Sequence, residues 1–140
     1  MKKSIIAVLA ATLATAVAAQ TRYPEKPIRM IVPFPPGSAS DFLARTTGQK
    51  LNEKYGQQVV IDNRPGAGGV VGSTLLAKAV PDGYTLGVIG QPHLINAILQ
   101  KDAPYRALDD VVAIAQIASL PNVLVVSPNL PVRSEEHTSE

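Results

Sequence analysis

The chain has 140 residues, 46% hydrophobic and 17% charged, with 13 Lys and Arg against 11 Asp and Glu and neither Cys nor Trp. Without Cys these residues hold no disulfide, no Cys-based zinc site, no thiolate nucleophile and no N-terminal lipid-anchor Cys; a net charge of +2 lacks the basic excess of a nucleic-acid binder, and so many aliphatics with so few charges argue against disorder. Twelve Pro and ten Gly argue against a helical bundle and for a fold with many punctuated connections.

The first element reads as an export signal. Met1-Lys2-Lys3 is a positive start, residues 5–17 are an apolar run, and Ala16-Val17-Ala18 has the small-x-small form of a cleavage site. These features predict a signal peptide over residues 1–19, cut after Ala18 or Ala19. An N-terminal anchor or a buried helix is the alternative, but the run is shorter than the roughly 20 apolar residues a spanning helix needs. No twin Arg is present, which favours the general secretory route.

From residue 20 to about 132 the pattern alternates strand and helix. Residues 28–32 are an aliphatic run with Pro on each side, a buried strand by composition. Pro33-Phe34-Pro35-Pro36-Gly37-Ser38-Ala39-Ser40 is a loop, because its prolines remove donors and fix φ. A helix is predicted from Ser40 or Asp41, with Ser40 as N-cap and Leu43, Thr47, Leu51 and Tyr55 on one face with Ala44 beside them; Gly56 ends it. A second strand is predicted at 59–61, a loop at 62–69, and a second helix at 70–79 with Val71, Leu75 and Ala79 sharing a face. A turn follows at Pro81-Asp82-Gly83-Tyr84, then a strand at 85–89, a short helix at 94–99, and further strands at 112–117 and 123–127. Strand-helix alternation predicts an α/β fold with a parallel sheet and right-handed crossovers. Residues 133–140 are abruptly polar and are similar to a translated sequencing adaptor, so they are read as a non-native read-through tail; a natural acidic tail is the alternative. Setting aside that tail and Lys2 and Lys3 leaves 10 basic and 8 acidic residues, which points to no partner by charge.

In an open parallel sheet ligands lie beyond the carboxyl ends of the strands. Three such exits are chemically unusual: Ser38-Ala39-Ser40-Asp41, Gly68-Gly69 within Pro65-Gly66-Ala67-Gly68-Gly69, and Gln91-Pro92-His93. The first two run into helix N-termini, whose N–H groups and dipole favour an anion. The same residues also read as packing and capping groups: Gly for positive φ, Asp41 at a helix start, Asp62 and Arg64 as a surface pair. Gly66-Ala67-Gly68-Gly69 does not match a nucleotide-binding fingerprint. His93 has no second His outside the tail, so neither a metal nor another cofactor is predicted.

Ordered blocks then carry a resemblance. Tyr23-Pro24-Glu25-Lys26-Pro27-Ile28, Val32-Pro33-Phe34-Pro35-Pro36-Gly37 with Asp41 and Arg45, Asn63-Arg64-Pro65-Gly66-Ala67-Gly68-Gly69, and Pro81-Asp82-Gly83-Tyr84-Thr85-Leu86 look like successive blocks of the Bug family. His93 and Asn96 fit a variant of its third strand exit. The family comprises the periplasmic solute-binding receptors of tripartite tricarboxylate transporters. The resemblance implies a two-lobed periplasmic-binding fold of type II in a Gram-negative bacterium, closing around a small carboxylate. It also implies that this chain holds an N-terminal fragment, with residues 20–122 in the first lobe and 123–132 starting the crossover to a second. Ser38 stands where Gly is usual and Arg106 where Asp is usual.

The reading is a monomeric, non-enzymatic receptor in which Ser38, Ala39, Ser40, Asp41, Gly68, Gly69, Gln91, Pro92 and His93 meet the solute. Its partners would be permease subunits of a tripartite transporter, or a sensor ectodomain if it serves signalling. An exported serine hydrolase using Ser38 or Ser40 is the remaining alternative, although no G-x-S-x-G elbow is present.

Overall fold

A computed structural model of the chain describes residues 23–100, 102–121, 123, 125–127 and 129. The predicted signal peptide and the 133–140 tail lie outside the described residues. Strand β1, Ile28–Val32, is buried at every position but Arg29. It lies between β2, Val59–Asn63, and β3, Thr85–Gly87, in a parallel sheet of order β2-β1-β3. Met30 stands level with Ile61 on one side and Leu86 on the other. The connections are α1, Ala39–Tyr55, a 3-10 turn at Ala67–Gly69 leading into α2, Val70–Ala77, and after β3 the helix α3, Gln91–Leu99.

Helices cover both faces because successive residues of a strand point to opposite sides. Met30, Val32 and Ala44 of α1 form the centre of one layer, with Phe34, Leu51, Val59, Ile61, Leu86 and Val88 around them. Ile31 points the other way, level with Gly87, where Leu76 of α2 sits so close that a Cβ on Gly87 would collide with it. Fully burying a side chain such as Ile31 or Val32 is worth about 1.5–3 kcal/mol each.

The predicted α/β architecture and the order of its first six elements match the structure, and several local expectations do not. The N-cap of α1 is Ser38, not Ser40: Ser38 Oγ accepts from Asp41 N–H at 3.2 Å. The buried side of α1 is Asp41, Ala44 and Gly48 with Leu51, whereas Tyr55 is 43% exposed. Small residues won this face because α1 lies close on the sheet; a Cβ on Gly48 would stand 3.2 Å from both Val59 and Ile61. In α2 the buried residues are Val70, Gly72 and Ser73, while Val71 and Leu75 face outward.

No strand forms at 112–117, nor at the described residues of 123–127. These apolar residues are exposed, Val112 at 90% and Val125 at 82%. A strand needs a neighbouring edge to bond to, and none of the three strands lies alongside them. The Arg106 departure is accommodated locally: its N–H and guanidinium both bond Asp110 within an exposed turn.

Candidate functional site

The exit of β1 is held by one buried carboxylate. Gly37, at φ 82, lets the chain turn after two prolines into the Ser38 cap. Asp41 is 4% exposed, and its carboxylate accepts from Gly37 N–H at 2.9 Å, Arg45 Nε at 2.9 Å and Asn63 Nδ2 at 2.9 Å. The Arg45 guanidinium, then the Gly37 N–H and the Asn63 amide, hold this carboxyl well below the usual carboxylate range. Asn63 also donates to Phe34 O at 3.0 Å, which ties the end of β2 to the loop. Within this frame Ala39 and Ser40, in the first turn of α1, have N–H groups that meet no acceptor among the described residues. The Ser38 hydroxyl accepts a bond but keeps its own hydrogen to donate.

The exit of β2 is a run of left-handed backbone: Gly66, Ala67, Gly68 and Gly69 have φ of 140, 47, 65 and 101. Gly69 N–H donates to Gly66 O at 2.9 Å and Val70 N–H to Ala67 O, so those donors are engaged within the turn. The N–H groups of Gly66, Ala67 and Gly68 meet no acceptor among the described residues. The loop lies against the first exit: a Cβ on Gly69 would stand 3.6 Å from Pro33 Cβ, and one on Gly72 only 2.7 Å from Pro33 Cα.

The third exit reaches the second through Asn96, whose Nδ2 donates to Gly68 O at 3.0 Å. Gln91 and Pro92 open α3 behind Gly90, which supplies no side-chain cap. His93 turns inward instead. It is 4% exposed, stacks on Tyr105 at 4.7 Å between ring centroids, and points Nε2 at Ala107 O at 3.1 Å, which makes Nε2 the protonated nitrogen because a carbonyl only accepts. Tyr105 Oη donates back to His93 O at 2.8 Å. Thus the structure brings Ser38, Ala39, Ser40 and Asp41 together with Gly68 and Gly69, and links α3 to them by Asn96. His93 is occupied with residues 105–107.

Asn63, Asn96 and Tyr105 organise these exits. The family resemblance includes the first two and does not single out Tyr105. Among the described residues no group of three or more His, Cys, Asp or Glu is placed to hold a metal. Two open grooves lie elsewhere: one of about 600 Å³, lined by Tyr23, Glu25, Lys54 and Tyr55, is at the end where the strands begin. The other, about 520 Å³, runs between α1 and β2. The strand exits offer N–H dipoles and hydroxyls converging on one side of the sheet, an arrangement that can receive an anion without a free cationic side chain.

The comparisons with known proteins bear on the family and the fold. Residues 43–137 match the model of the tripartite tricarboxylate transporter family receptor. The chain is 42% identical to protein BugT of Bordetella pertussis over 135 residues, 94% of this chain and 41% of that protein. Among solved structures it resembles periplasmic binding protein BugD, with 36% identity and a TM-score of 0.57 over 63% of this chain and 29% of that one. It also resembles MatC of Rhodopseudomonas palustris, solved with bound malate, with 33% identity and a TM-score of 0.58 over 63% of this chain and 30% of that one. The chain therefore spans about two fifths or less of these relatives, and on the strength of the family match it belongs to the tripartite tricarboxylate transporter family of receptors.

Proposed function

We propose that the chain is part of an exported receptor that captures a small carboxylate for a tripartite tricarboxylate-type transporter. One observation carries this reading: the uncommitted N–H groups of Ala39 and Ser40 and that of Gly68 sit on adjacent loops, joined through the Pro33 contact. A carboxylate has two acceptor oxygens and would take one bond from each loop, with Ser38 and Ser40 hydroxyls able to add more. The malate seen in a relative of this fold supports the ligand class. Asp41 and Gly69 then shape the loops, while Gln91 and Pro92 lie at the third exit. His93 serves α3 by its bonds to residues 105–107.

The protein acts by capture, without chemistry. The Ser38 Oγ cap and the His93 Nε2 bond to a carbonyl support capture over a serine hydrolase. Residues 20–122 belong to a first lobe, 123–132 lead towards a second, 1–19 direct export to the periplasm, and 133–140 are read-through. The receptor works as a monomer that hands solute to membrane permease subunits.

Amide-resolved NMR titration of the full-length receptor that contains this chain, with malate and with other di- and tricarboxylates, tests the reading. The expected result is saturable shifts of the Ala39, Ser40 and Gly68 amides. A folded receptor with no such shift for any carboxylate would overturn it.

A further inference from the structure

We propose that Asn63, which touches no ligand in this reading, is the positioning residue that holds the carboxylate-binding loop of β1 in its receptive shape. The inference rests on the proposed function and goes beyond it by assigning control of the site to the neighbouring strand. Asn63 is the last residue of β2, and its amide spans three groups of the first exit. Nδ2 donates to Phe34 O at 3.0 Å and to Asp41 Oδ1 at 2.9 Å, and Oδ1 accepts from Arg45 at 3.5 Å. Those partners bracket the loop: Phe34 stands at its start, and Asp41, through Gly37 N–H, fixes its end. The loop has little else to hold its backbone, because Pro35 and Pro36 carry no N–H and the Ser38 N–H reaches Pro35 O only at 3.3 Å.

The chemistry demands an amide here. Nδ2 must donate to a carbonyl and a carboxylate at once, while Oδ1 accepts from a guanidinium. No other side chain of this size has two donors and an acceptor on one planar group. Asn63→Asp keeps the shape but turns the donor into a second carboxylate, facing Asp41 and Phe34 O. Arg45 is the charged partner facing this point from α1. Asp62 and Arg64, on either side of Asn63, are engaged with each other, and Asp62 also with Arg29. Two carboxylates at hydrogen-bond distance share a proton more readily than either holds one alone. Lowering the pH would therefore restore a donor at residue 63 in this variant only.

The experiment measures malate affinity and amide exchange of Gly37 in the full chain, its Asn63→Ala variant and its Asn63→Asp variant, at about pH 7.5 and about pH 5.5. At the higher pH both variants are expected to bind malate about tenfold or more weakly, and their Gly37 amide to exchange faster. At the lower pH Asn63→Asp is expected to recover towards the parent in both readouts, and Asn63→Ala to stay impaired. A merely structural role would restore Gly37 protection at the lower pH without restoring malate affinity. The proposal is overturned if Asn63→Ala binds within about twofold of the parent, or if folded Asn63→Asp does not respond to pH. If the parent binds neither malate nor any other di- or tricarboxylate of the series, while Gly37 exchange still follows the residue at 63, the receptor reading and this role in it are overturned and Asn63 is left as a loop brace.

Discussion

At the residue scale, two positions show how contact geometry outranks residue type. Gly72 is helical, and Ala there would gain about 1 kcal/mol of helix propensity. A Cβ would nevertheless stand 2.7 Å from Pro33 Cα and 3.0 Å from Arg64 O, backbone atoms that cannot give way. Gly72→Ala is expected to destabilise by about 1–3 kcal/mol in denaturant unfolding. Gly87→Ala would meet the Leu76 side chain, both Cδ atoms and Cγ, but no backbone atom, so it should cost less. Asp41 gives a prediction in pH. Its folded carboxyl is held below its ordinary value of 3.8 by the Arg45 guanidinium, then the Gly37 N–H and the Asn63 amide. Its contribution is therefore complete above that value and is lost as the pH falls below it towards the folded value. Thermal unfolding of Asp41→Asn should show a shallower loss of stability below about pH 4 than the parent.

At the scale of elements, the two serines at the start of α1 differ in what they bond. Ser38 caps the helix, and Ser40 lies in its first turn without a capping bond. Ser38→Ala is expected to cost about 1 kcal/mol of unfolding free energy. Ser40→Ala should stay within about 0.5 kcal/mol of the parent and act instead on carboxylate binding, as amide titration would show. The two exits are thereby coupled through packing: α2 meets Pro33 directly, and Asn63 joins β2 to the β1 loop.

At the scale of the molecule, the described surface carries a long apolar stretch. Leu108, Val112, Ile114, Leu120, Val123 and Val125 are all more than 60% exposed, and Ile98 and Leu99 of α3 add to them. Scattered exposed aliphatics are ordinary, but so many within one segment invite association. Light scattering of the chain should show a mean mass that rises with concentration, and Ile114→Lys with Val125→Lys should lower it. An unchanged monomer across the series would contradict this.

The amino-acid sequence by itself determined the parallel α/β class, the positions of β1, α1, β2 and β3, and which loops lead into helix starts. Aliphatic runs bounded by Pro and Gly encode those features locally, through φ restriction and hydrogen-bonding capacity. The blocks around Pro33 to Gly37 and Asn63 to Gly69 also carried the family. Tertiary structure decided which serine caps α1, which face of each helix is buried, and that His93 turns towards Tyr105. It also decided that residues 112–117 have no strand partner. The buried helix faces and the shape of the first exit depend on atoms distant in sequence: Gly48 on Val59, Gly72 on Pro33, Asn63 on Phe34. Close approach of backbones selects small residues and amides that periodicity cannot weigh, because periodicity counts apolar side chains and these contacts are made where side chains are absent or polar.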